Sequence, residues 1–250
     1  MTDGLGRRLL AEFLGTAFLA AAVIGSGIMA SRLSPNDLGL ELLENAAATA
    51  AALVAIILAI GAVSGAHLNP VVTLADRFFG GLTNGEAAGY IGAQFAGGWA
   101  GAVAANLMFS LPAVELSTKV RSSGGLWFAE AVATFGLLLV VFGVVRSGRA
   151  LAAPFAVGAY IGGAYFFTAS TSFANPAVTL ARTLSPTFAG IKPSSVPPFV
   201  VAQLVGAGLA VLAISVLYPT ISTFAADVVV PHEVPHEVPN ELSAWPKEAS

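Results

Sequence analysis

Long apolar stretches separated by short polar breaks run through most of the chain. The pattern predicts six helical spans at about 8–30, 42–63, 86–109, 126–146, 150–169 and 197–218, each near the ~20 residues that cross a bilayer. The breaks are Ser31 to Leu40 with Pro35, Asn36 and Asp37, Ser117 to Gly125, the tight Arg146 to Arg149, and Ser185 to Pro198. Arg7 and Arg8 before the first run superficially suggest a signal peptide. That run continues to about Ala30 with no convincing small-residue cleavage site before its end, so it is read as the first span. Past about Thr220 the pattern stops, and Pro231-His232-Glu233-Val234-Pro235-His236-Glu237-Val238-Pro239 is a small tandem repeat too polar and proline-rich to pack. Residues 221–250 therefore read as a flexible solvated tail, with a weak metal or partner site at His232 and His236 as the alternative.

Two shorter segments follow spans two and five. Asn69-Pro70-Val71-Val72-Thr73-Leu74-Ala75 returns as Asn175-Pro176-Ala177-Val178-Thr179-Leu180-Ala181. Asn suits a helix N-cap because its side-chain oxygen accepts from free backbone N–H groups. Pro at the first helical position loses only a donor that had no partner. Each segment is too short to span, so the pair predicts two half-helices with polar tips lining a water-filled path.

The repeat is wider than these boxes. Ala11-Glu12 with Thr16 is matched by Ala129-Glu130 with Thr134, and Ala93-Gln94 with Gly97 by Ala202-Gln203 with Gly206. Each half, about 7–110 and 125–220, thus holds three spans and one half-helix. An odd number of spans per half forces opposite orientations, the plan of an inverted repeat. The glycines of span three (Gly89, Gly92, Gly97, Gly98, Gly101) and of span six (Gly206, Gly208) predict close helix approach.

Composition narrows the class. Of 250 residues, 56% are hydrophobic and 10% charged, with a mean hydropathy of +0.81, so the main solvent must be lipid. A net charge of −3 gives no reason to expect nucleic acid as a partner. No cysteine is present, which excludes disulfides and thiolate metal sites. No Ser-His-Asp set, phosphate loop or metal cluster appears, so neither an enzyme nor a cofactor or resident metal is expected.

With its paired Asn-Pro boxes inside a six-span repeat, the chain resembles the major intrinsic protein family of aquaporins and aquaglyceroporins over roughly residues 7 to 220. The resemblance implies an all-α membrane channel, a domain at 1–220 with six transmembrane helices and two re-entrant half-helices. It also implies a homotetramer with one pore per subunit, in the cell membrane with both termini cytoplasmic; the charges alone give no orientation. Asn69, Pro70 and Val71 with Asn175, Pro176 and Ala177 would form the central constriction, where Asn amides donate to passing solutes and two helix N-termini oppose cations. Glu12 and Glu130 correspond to glutamates that brace the re-entrant loops, with His67 tying its loop to its surroundings or gating with pH. The family's outer filter maps by spacing onto Thr49, Gly163, Ser172 and Val178, with no Arg and no aromatic, which predicts a wide ring with few fixed donors. Arg182, one turn beyond Val178, is the repeat partner of Asp76, and a cation there suits the helix C-terminus or the headgroup zone.

By that resemblance the chain passes small uncharged solutes passively: water, polyols, urea and neutral metalloids. Val in the filter resembles a bacterial branch linked to arsenic resistance, which points to arsenous acid and methylated arsenicals. Two other classes remain open, a proton-coupled secondary transporter using Glu12 or Glu130 and a non-conducting structural membrane protein.

Overall fold

Helix signals in the sequence are met one by one across residues 3–219, the part of the chain described by the computed structural model. The first half contains α1 (Asp3–Leu33), α2 (Leu38–Ser64), α3 (Pro70–Phe79) and α4 (Asn84–Met108). The second contains α5 (Gly124–Arg146), α6 (Ala153–Phe167), α7 (Pro176–Ala181) and α8 (Val196–Leu217). Asp37 caps α2 through the Leu40 N–H, Ser123 caps α5 through Leu126, and Thr83 and Glu86 form a reciprocal capping box on α4. The first polar break is shorter than the sequence pattern suggests, because α1 runs on to Leu33 and α2 restarts at Leu38. The His232 and His236 reading lies outside the described residues.

Five helical segments, the long helices other than α4, are long and apolar enough to cross a membrane. The remaining long helix, α4, has 25 residues but is diluted by glycine, Asn84, Gln94 and Asn106. Its polar side chains are used inside the protein: Gln94 and Asn106 are fully buried. The outer surface carries large apolar groups instead, among them Phe18, Trp99, Phe128, Phe155, Leu212 and Val216. In water such a surface would be an aggregation site; in a bilayer it is solvated.

Packing follows the internal repeat. α1 lies against α2 and α4 as α5 lies against α6 and α8, and α2 meets α6 across the join. Each short helix packs on its own half and on the other: α3 on α4 and α8, α7 on α8 and α4, and the two on each other. Glycine sets the tightest crossings. A Cβ at Gly97 or Gly101 would collide with the Phe13 or Ala17 carbonyl of α1, and one at Gly206 with the Ala131 carbonyl of α5. The backbones therefore approach as only glycine permits. Gly92 and Gly208 have nothing within 4 Å of a Cβ, so the expectation of close approach fails at those two positions.

Candidate functional site: a lumen between the half-helices

The half-helices begin where the sequence predicts. Asn69 and Asn175 are extended N-caps; Asn69 Oδ1 accepts from Val71 N–H at 3.1 Å, and Asn175 Oδ1 accepts from Ala177 and Val178 N–H at 2.9 and 3.2 Å. Their amide nitrogens reach across the repeat. Asn69 Nδ2 donates to the Ala174 carbonyl and Asn175 Nδ2 to the Leu68 carbonyl, each at 2.8 Å. That reciprocal pair ties the tips together and leaves each amide one further N–H. Pro70, Val71, Pro176 and Ala177 are buried beside the tips, while Asn69, Val72, Asn175 and Val178 line the adjoining cavity.

The loops leading into the boxes are held in an unusual conformation. Ala66 and Leu68 have φ of 48° and 52°, and Ser172 and Ala174 have φ of 49° and 47°, left-handed values that cost non-glycine residues energy. A buried carboxylate repays each. Glu12 accepts from His67 N–H at 2.9 Å, Leu68 N–H at 2.7 Å, Ser64 Oγ at 2.7 Å and Gln94 Nε2 at 2.7 Å. Glu130 accepts from Phe173 N–H at 2.8 Å, Ala174 N–H at 2.9 Å and Gln203 Nε2 at 2.6 Å. Gln94 and Gln203 pass the network on to Thr73 and Thr179, each at 2.9 Å, whose hydroxyls donate to the Asn69 and Asn175 carbonyls. The same chain of Glu, Gln, Thr and Asn is thus built twice. His67 Nδ1 lies 3.2 Å from Thr73 Oγ1, and its Nε2 is 3.8 Å from the Asp76 carboxylate.

Between the halves runs a narrow cavity. The centre of a water molecule can occupy about 60 Å³ of it, which at ~10–15 Å³ per water is room for a handful. Much of its lining is apolar, including Leu19, Val23, Leu53, Ile57, Val141 and Val157. The polar groups lining it are Thr49, Tyr165, Ser172, Asn69, Asn175, His67 and Arg182.

Three of the four mapped filter residues, Thr49, Ser172 and Val178, line this cavity together. Gly163 does not. It is exposed on the outside of α6, with open space beyond it. Two residues on, a turn of about 200° brings Tyr165 to the lumen, where its hydroxyl is 3.1 Å from Thr49 Oγ1. Tyr165 and Phe173 both line the cavity, so its lining is not free of aromatics. Arg182 is corrected as well. It follows the end of α7, but it is 2% exposed, lines the cavity and stacks 3.5 Å from the Phe173 ring centroid.

Further cations flank that end. Arg121 sits 5.0 Å from the same ring and donates to the Gly190 and Phe188 carbonyls at 3.0 and 3.3 Å. Lys119 donates to the Phe188 carbonyl at 2.9 Å. Desolvation of its ammonium, with Arg121 and Arg182 nearby, pushes Lys119 down to about 8. Sequence spacing had no means of gathering these residues, because the 110–123 and 185–195 loops meet only in the fold.

The description of the Major intrinsic protein family matches residues 2–172 of the chain. The aquaglyceroporin AqpS of Rhizobium meliloti (strain 1021) is 50% identical over 203 residues, 81% of this chain and 86% of that protein. A probable aquaporin AqpM of Archaeoglobus fulgidus is 32% identical over 237 residues, covering 83% and 95% of the two chains. In shape, the X-ray structure of the aquaglyceroporin from Plasmodium falciparum superposes with a TM-score of 0.68 at 23% identity, covering 88% of this chain and 99% of that one. Apolar spans, mirrored half-helices and a shared lumen agree with these likenesses, and the chain belongs to the major intrinsic protein family of membrane channels.

Proposed function

We propose that this channel for water and glycerol-like solutes has the Asn69 and Asn175 pair as its central constriction and an outer constriction at Thr49, Ser172 and Val178. Glycerol, urea and neutral metalloid hydroxides are its solutes beside water, with arsenous acid and methylated arsenicals foremost. The observation that carries the reading is the reciprocal Asn69 and Asn175 bonding at the lumen, which leaves each amide one N–H for a passing oxygen. A lining that mixes apolar side chains with a few hydroxyls and amides suits solutes that carry both hydroxyl and apolar or lone-pair surface. The arsenical assignment rests on Val178 standing where related filters carry Arg, in a lumen whose ring is otherwise built from short hydroxyls and Tyr165. Four copies, each with its own pore, sit in the cell membrane with both termini in the cytoplasm. Residues 1–220 make the channel domain.

A proton-coupled transporter is the poorer reading. Glu12 and Glu130 are fully buried, do not line the lumen and already accept hydrogen bonds from the loops. A carrier carboxylate has to meet the path it serves. Comparing proteoliposomes of the wild type and Val178→Arg for water, glycerol and arsenous acid flux tests the solute reading. Glycerol and arsenous acid should cross rapidly in the wild type, and Val178→Arg should cut both more than water. Fast water with no solute flux in the wild type would contradict the proposal.

A further inference from the structure

Arg182 is a costly residue to bury. Its side chain is enclosed, and among the described residues it makes no ion pair with a carboxylate. Its hydrogen bond there runs from Nε to the Ala189 carbonyl, and its plane lies over the Phe173 ring. This arrangement holds the stem and Nε while leaving the two terminal nitrogens without a protein acceptor among those residues. A guanidinium whose remaining donors face a cavity needs hydrogen-bond acceptors there. The lumen it lines is that cavity.

A second group points the same way. The Ser172 hydroxyl is buried without a hydrogen-bond partner and belongs to a residue lining the same space. Its backbone is pinned in the left-handed region, φ 49°, beside the N–H groups held by Glu130. Tyr165 and Thr49, joined at 3.1 Å, line that space too.

We infer that Arg182 is the fixed cationic donor of the outer constriction, set one helical turn beyond Val178 and acting with Ser172 on the solute. The small Val178 then widens the ring without making it neutral. Phe173 and the Ala189 carbonyl orient the guanidinium, and Arg121 on the same ring raises the local positive potential. In a lumen lined largely by apolar side chains such a charge repels cations and donates to oxygen-bearing solutes. The chemical class favoured is thus uncharged oxygen acceptors over sodium, potassium and organic ammonium ions. The inference rests on the proposed conduction pathway.

The test uses full-length protein in proteoliposomes, with glycerol flux read by light scattering and sodium leak by a potential-sensitive dye. Arg182→Met keeps the length and the packing on Phe173 but removes the charge. It should still pass glycerol faster than bare liposomes while sodium leak rises at least about tenfold. Arg182→Lys should restore sodium exclusion to near the wild-type level. A glycerol-conducting Arg182→Met with unchanged sodium exclusion would overturn the inference, as would a protein that reconstitutes in neither variant, since Arg182 would then serve the fold. No water or glycerol flux in the wild type would instead fail the pathway itself, a result distinguishable from both.

Discussion

At the scale of single residues, the decisive contrast is between polar groups that brace and polar groups that face the lumen. Glu12 spends its two oxygens on four donors from α2, α4 and the loop before α3, none of them a solute. Glu12→Gln would set an amide against those N–H groups and cost about 1.5–3 kcal/mol. The expected result is a lower thermal midpoint in detergent, with any remaining glycerol flux indifferent to a pH gradient. An unchanged midpoint with loss of pH-driven uptake would make Glu12 a proton carrier. The bracing glutamates were legible because the repeat doubled them, and the box residues because Asn then Pro has a fixed physical meaning at a helix start. Gly163 was not, since span five is apolar on every side and gives no face to its register. Tyr165, two positions on, is the residue of α6 that lines the cavity beside Thr49. Arg182 was misjudged for a different reason: a cation at a helix end satisfies the dipole in any environment, and only the fold reveals that this end is enclosed.

At the scale of elements, tight helix crossings do the work that aqueous burial does elsewhere. In lipid there is little hydrophobic gain from pairing apolar helices, so close backbone packing has to hold them. Gly97 and Gly101 of α4 against α1, and Gly206 of α8 against α5, are the points of closest approach. Gly97→Ala should lower stability by about 1–3 kcal/mol through overpacking, whereas Gly208→Ala, in open space, should be neutral or better. Thermal unfolding of the two purified variants in one detergent decides it; equal midpoints would show that the α1 and α4 contact is not under steric control. Sequence alone ranked these glycines together. The distinction between Gly97 and Gly208 depends on which face of each helix meets a partner, and uniformly apolar helices conceal it.

At the scale of the whole molecule, the inverted repeat explains why the path is central. Each half presents one half-helix tip, one bracing carboxylate and one glycine crossing, and their opposition brings Asn69 and Asn175 together beside the lumen. The halves are not copies in their charges. Asp76 occupies in the first half the position of Arg182 in the second, and both are buried. The two ends of the molecule therefore differ electrostatically although their backbones correspond. Architecture of this kind was readable from the repeat, whereas the approach of Lys119 and Arg121 to Arg182 depends on the 110–123 segment that joins the two halves. The central claim is passive conduction through that lumen, and the most direct measurement is stopped-flow glycerol uptake into proteoliposomes over a range of gradients and temperatures. The account predicts flux that rises in proportion to the gradient, with a weak temperature dependence and no response to a pH gradient. Saturable uptake driven by a pH gradient, or flux no greater than that of protein-free liposomes, would contradict it.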